Sequence, residues 1–167
     1  MVMKVKKFSK DLPNFTYDEK GDWVDLYVNW ACVTKNEEFY IENAQKLKLQ
    51  EFNPENELWY YEGEIVIVGL GVAIELPYFH EAQIRPRSST FKKTGLLLTN
   101  SIGTIDEFYK GDLDEWMGIF YATRDGHINR FDRLLQFKVE QKMVKPEIEY
   151  VEKLGNNNRG GYGTSGN

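Results

Sequence analysis

Short runs of alternating apolar and polar residues, broken by glycine, proline and asparagine, fill most of the chain. Val24–Trp30 alternates, and Glu64–Val68 runs through Gly69 and Gly71 into Val72–Leu76, which Pro77 closes. Gly95–Thr99, Met117–Tyr121, Leu134–Val139 and Glu147–Val151 follow in the same style. A period of two, rich in β-branched and aromatic residues, predicts strands; the spacing of the turn signals predicts an all-β sandwich or barrel. The stretch from Asn36 to Phe52 reads two ways. Phe39, Tyr40, Ala44 and Leu47 suit one face of a helix, whereas Leu47–Gln50 alternates like a strand. No internal repeat of solenoid length is present.

The pattern stops at the end of the chain. Gly155–Asn167 is rich in glycine and amide side chains and offers nothing to bury, which predicts a flexible arm, 155–167, after one domain, 1–154. A length of 167 residues suits a single domain. No apolar run approaches the ~20 residues of a spanning helix. Residues Met1–Asp22 lack the apolar stretch of a signal peptide, so a cytoplasmic location and no membrane contact are expected. Cys32 is the only cysteine and is expected to be a small core or near-surface thiol, while the two histidines, His80 and His127, read as loop residues. A disulfide framework and a thiolate zinc cage are thereby excluded within one chain. The net charge of -5 has the wrong sign for wrapping duplex nucleic acid, so an anionic ligand needs a local cluster of cations.

Four segments offer such chemistry. Arg85–Thr90 sets two guanidinium groups beside three hydroxyls, a pattern that suits phosphate oxygens and equally a polar turn. Thr99–Asp112 contains Asn100 and Gly103, which predict a tight hairpin whose backbone could read the edge of a planar base. In the same segment Asp106 follows Ile105; partial desolvation there would favour a general base, and an ordinary exposed turn is the alternative. Arg130–Phe137 enters a strand in which Arg133 and Gln136 hold polar positions. Asp25 lies inside a largely apolar strand, where a carboxylate needs either an arginine or a hydrated cation.

Together with the arm, and taken in sequence order, the segments resemble the five motifs of the trimeric, all-β dUTP diphosphatases, most of all the branch of Gram-positive bacteria and their phages. Gly21–Leu26, Pro86–Thr90, Asn100–Asp112, Asp132–Phe137 and Arg159–Gly166 stand for the motifs in turn. The resemblance implies a distorted jelly-roll or β-clip barrel, a homotrimer with exchanged C-terminal arms, and sites assembled between subunits. It also implies Mg2+-assisted hydrolysis of dUTP to dUMP and pyrophosphate, which limits uracil in DNA and supplies dUMP for dTMP synthesis. Location in a bacterial cell or a phage-infected host follows from the same likeness.

Carried over by position, Asp106 would activate the water that attacks the α-phosphorus. Asn100 and the backbone of Gly103, Thr104 and Ile105 would bind uracil, and Tyr109 would pack under the deoxyribose. Arg87, Ser88, Ser89 and Gln136 would hold the phosphates, with Asp25 reaching Mg2+ through its water shell. From the arm, Arg159, Thr164 and Ser165 would meet the outer phosphates, while Tyr162, beside Gly163, covers the base. The sequence departs from the family in Asp22–Val24 before the first aspartate, in Tyr162 where phenylalanine is usual, and in a longer segment, 35–62. Phe91 competes with Tyr162 as the stacking ring. The cluster Leu58–Tyr61 in the long segment suits either a hairpin on its own body or a patch for a protein partner. The patch would make the chain a regulatory module gated by nucleotide; dCTP deaminase, on the same scaffold, is the other enzyme the Arg–Ser–Ser run allows.

Overall fold

The computed structural model describes residues 1–17, 19–34, 57–158 and 160. Within them lie β1 (Lys4–Lys7), β2 (Val24–Leu26), β3 (Trp30–Thr34), β4 (Glu57–Tyr60), β5 (Ile65–Gly69) and β6 (Val72–Glu75). There follow β7 (His80–Pro86), a short helix α1 (Thr90–Thr94), β8 (Leu96–Leu98), β9 (Gly103–Asp106), β10 (Met117–Ala122), β11 (Gly126–Asn129) and β12 (Leu135–Gln141). Two four-stranded antiparallel sheets, β2-β12-β7-β9 and β3-β5-β10-β8, form the body, and the pairs β1-β6 and β11-β4 flank it. The all-β expectation holds.

The core lies between the two large sheets. Leu26, Ile84, Leu135 and Phe137 from one meet Val66, Val68 and Phe120 from the other, all buried. Trp116 stands edge-on to Phe137, with ring centroids 5.3 Å apart. The sheets approach closely at Gly118 of β10, where a Cβ would lie 2.7 Å from Leu135 Cδ1 of β12. Glycine is the residue that lets the backbones come so near.

Several expectations need correction. Val24–Trp30 is not one strand: the chain leaves β2 after Leu26 and enters the other sheet at Trp30. Buried Val28 marks the corner, its N–H donating to the Asp132 carbonyl (3.0 Å) and its own carbonyl accepting from Phe131 N (2.7 Å). The turn at Asn100 is also a corner between sheets and not a hairpin, because β8 pairs with β10 whereas β9 pairs with β7. Ser101 turns the chain there with a left-handed φ of 60°. Glu147–Val151 forms no strand, and Ile148 and Tyr150 are exposed. His80 opens β7 and His127 lies in β11, its ring 4.8 Å from that of Trp59, so neither is a loop residue. Cys32, by contrast, is a core thiol, one of the two placements expected of it, and burial pushes its pKa up to about 11. The segment that read two ways, Asn36–Phe52, lies outside the described residues.

Candidate active site

One face of the sheet β2-β12-β7-β9 is apolar and turned to the core; alternation makes the other face polar throughout. In register across it stand Asp25, Gln136 and Arg85, then Lys138, Gln83 and Thr104, then Glu140, Glu81 and Asp106. Residues from three of the sequence motifs thus share one surface. Asp25, three-quarters buried, resolves its sequence ambiguity with two arginines. Its Oδ1 lies 2.7 Å from Arg87 Nε, and its Oδ2 accepts from an Arg133 Nη at 3.0 Å. The pairing fixes Arg87 beside Gln136, whose Nε2 points to the Pro86 carbonyl at 3.5 Å.

Immediately after β7 the backbone turns into α1. Arg87 N donates to the Leu134 carbonyl, and Thr90 Oγ1 to the same carbonyl at 2.6 Å, which docks the turn on the entry to β12. Ser88 is exposed, and Ser89 precedes the helix without using its hydroxyl as a cap. Both serines follow Arg87 directly, at the head of the helix. Phe91 is half exposed on α1.

At the other end of the sheet, β9 separates two environments. Gly103 and Ile105 line a cavity of about 260 Å³ together with Asn100, Tyr109, Glu115 and Met117. Thr104 and Asp106 project to the opposite, polar face by strand alternation. A Cβ at Gly103 would meet Ile84 and Asn100 Nδ2 at ordinary contact distances, 3.4 and 3.8 Å. Asp106 is exposed in the single chain, so the desolvation expected from its apolar neighbour Ile105 is not found. It ends an edge strand, and solvent reaches it from the open side. Its Oδ1 accepts from Phe108 N at 2.7 Å.

The turn that carries Asp106 is anchored by the next residue. Glu107 is buried; its carboxylate accepts from Phe79 N and faces Lys142 Nζ at 3.4 Å. Tyr109 leans over the cavity, its hydroxyl donating to the Glu115 carbonyl at 3.2 Å. Burial, with Asp114 and Glu115 nearby, raises its phenol above the ordinary range. Sequence reasoning missed Glu107 and Glu115, both buried acids. Their signal was an acidic residue next to an aromatic one, in Glu107-Phe108 and Glu115-Trp116, which also occurs on exposed turns.

Among the sequence-predicted residues, Asn100, Gly103, Ile105 and Tyr109 come together at the cavity, and Asp25, Arg87 and Gln136 at the far corner of the sheet. Arg159, Tyr162, Gly163, Thr164 and Ser165 lie outside the described residues. Of the long segment, Leu58 and Tyr60 pack inward, Tyr60 donating to the Thr94 carbonyl at 2.8 Å, while Trp59 and Tyr61 are exposed. Among the described residues no three acidic, histidine or cysteine side chains gather into a metal cage, and no helix is long and apolar enough to cross a membrane.

No family model matches the chain. Curated relatives do. It is 37% identical over 166 residues to the SPbeta prophage-derived deoxyuridine 5'-triphosphate nucleotidohydrolase YosS of Bacillus subtilis, covering 99% of both chains. It is 33% identical over 171 residues to the deoxyuridine 5'-triphosphate nucleotidohydrolase of Caldanaerobacter subterraneus, covering 99% of this chain and 98% of the relative. Among solved structures, the dUTPase of Staphylococcus bacteriophage 80alpha superposes with a TM-score of 0.67 at 17% identity, over 99% of this chain and 98% of that one. The fold is thus that of the phage dUTPases. The chain belongs to the deoxyuridine 5'-triphosphate nucleotidohydrolase family.

Proposed function

We propose that the chain hydrolyses dUTP to dUMP and pyrophosphate, lowering the dUTP available for incorporation into DNA and supplying dUMP for dTMP synthesis. The observation that carries this reading is that Asp25 and Gln136 at one corner and Asp106 at the other, from three separate motifs, stand on one polar face of the sheet, with Arg87 bonded to Asp25. Asp106 has an exposed carboxylate at a strand edge, suited to taking a proton from water. The cavity on the other side of β9, walled by Asn100, Gly103 and Tyr109, suits a planar base and its sugar. Arg87, Ser88, Ser89 and Gln136 supply donors for phosphate oxygens.

The same register argues that these groups serve different nucleotides. Three strand spacings and four residues along β7 separate Asp25 from Asp106 by roughly 20 Å. A general base acts within about 3 Å of its proton. Each site therefore takes Asp106 from one copy and the arginine cluster from another, as in a homotrimer. Residues 142–158 support the exchange of an arm: they form no strand, and Met143, Val144, Ile148, Tyr150 and Leu154 are all exposed. Such an apolar row needs a surface to cover, and a neighbouring copy supplies one. The arm would bring Arg159, Tyr162, Gly163, Thr164 and Ser165 to that copy's nucleotide.

Magnesium fits as a hydrated ion on the substrate phosphates. Both oxygens of Asp25 already face arginines, which leaves lone pairs for water and not a dedicated cage. When bound, the ion would supply charge neutralisation to the leaving pyrophosphate. The staphylococcal phage phi11 dUTPase, a structural neighbour, holds a structural Mg(II) ion.

Incubation with dUTP and with dCTP tests the assignment. Pyrophosphate from dUTP is expected; ammonia from dCTP would make the chain a deaminase and overturn it. Asp106→Asn is expected to lower kcat for dUTP by about 100-fold or more, with KM changed only a few fold. Undiminished turnover would remove Asp106 from its role.

A further inference from the structure

Glu115 is a buried carboxylate in the wall of the nucleotide cavity, and three independent features converge on it. The Trp30 indole N–H donates to its Oε1 at 2.9 Å, and so does Gly71 N, also at 2.9 Å. Its backbone carbonyl accepts the Tyr109 hydroxyl. The surroundings are shaped for this arrangement. The Trp30 ring lies directly on Gly69, where a Cβ would fall 1.9 Å from the indole nitrogen. Gly71 presents its N–H from a left-handed turn, φ 65°. Between Tyr109 and Glu115 the chain closes on itself, with Gly111 N donating to Asp114 Oδ2 at 2.6 Å and Asp114 N to the Gly111 carbonyl at 3.1 Å.

Tyr109 is thus held at both ends. Its backbone N donates to the Asp106 carbonyl at 3.3 Å, and its hydroxyl is tied to a residue that is itself bolted to β3 and to the β5–β6 turn. A tyrosine pinned in this way cannot swing aside for a bulkier sugar. We infer that Glu115, with Trp30 as its donor, is a positioning residue that fixes the Tyr109 ring and so sets the discrimination between deoxyribose and ribose nucleotides. The inference rests on the proposed dUTP hydrolysis for its substrate, but the geometry is independent of it.

Three variants separate the roles. Trp30→Phe keeps a ring over Gly69 and removes the indole N–H. Glu115→Ala removes the carboxylate, whereas Glu115→Gln keeps an acceptor oxygen. The ratio of kcat/KM for dUTP to that for UTP is expected to fall about tenfold in Trp30→Phe and Glu115→Ala, and to stay within about threefold of wild type in Glu115→Gln. Thermal melting monitors folding, and Trp30→Phe carries the test should Glu115→Ala fail to fold. A ratio unchanged in folded Trp30→Phe overturns the inference. Fluorotyrosine in place of Tyr109, read by fluorine NMR, gives a second readout without turnover. A sharp resonance that broadens or moves in Trp30→Phe supports the pinning, and an unaltered one overturns it. Failure of the wild-type chain to cleave dUTP would sink the proposed function while leaving the fluorine result to decide on the ring.

Discussion

Asp25 illustrates how a charged side chain is kept inside a strand. Its two oxygens meet Arg87 and Arg133, so its own desolvation is offset, and removing its charge would leave two guanidinium groups facing one another. Asp25→Asn is therefore expected to lower stability by about 1 kcal/mol, a shift in Tm of about 2–4 °C for a domain of this size. It should also raise KM for dUTP more than it lowers kcat, because Arg87 loses the partner that aims it. Calorimetry and steady-state kinetics on the same preparation check both. At this scale the sequence was informative where chemistry demanded a partner: an acid in an apolar strand announced itself. Glu115 and Glu107 did not, since their partners, Trp30 and Gly71 in one case and Phe79 in the other, are brought near only by the fold.

The strands that the pattern predicted well are those whose alternation reports one buried face: β5, β6, β10 and β12 all appear within a residue or two of their expected ends. β1 was invisible because Lys4–Lys7 is exposed at every position and pairs only along an edge. The helix α1 escaped because Thr90–Thr94 is a single turn, held by the Thr90 and Thr94 hydroxyls and not by an amphipathic stripe. Glu147–Val151 alternated like a strand but pairs with no strand among the described residues, which sets off sequence propensity from pairing. Two predictions belong here. Gly118→Ala places a Cβ where Leu135 and Phe120 already stand, and overpacking should cost about 1–3 kcal/mol, read as a lower midpoint in urea. Ending the chain after Leu154 should remove most dUTP turnover while leaving circular dichroism and Tm near those of the full chain. Normal turnover by the shortened chain would remove the arm from the site.

A chain with a net charge of -5 binds a highly anionic nucleotide only where its cations are concentrated, and here they sit at the corner of the sheet remote from Asp106. The family motifs were legible in the sequence, yet the distance between them was not, because strand order determines it. Asp25 and Asp106 lie on the outer strands of one sheet, with β12 and β7 between them. The expected association follows from that order: copies must meet so that the acid of one faces the arginines of the next, and a closed ring satisfies every site at once. Mixing makes this measurable. Asp106→Asn chains lack the base, and Arg87→Ala chains lack a phosphate donor, so each population alone should be nearly inactive. Random reassembly of equal amounts, by joint refolding, pairs an intact Asp106 with an intact Arg87 in about one quarter of sites. Activity of the mixture should then rise to about a quarter of wild type, whereas sites built within single chains would show no recovery at all.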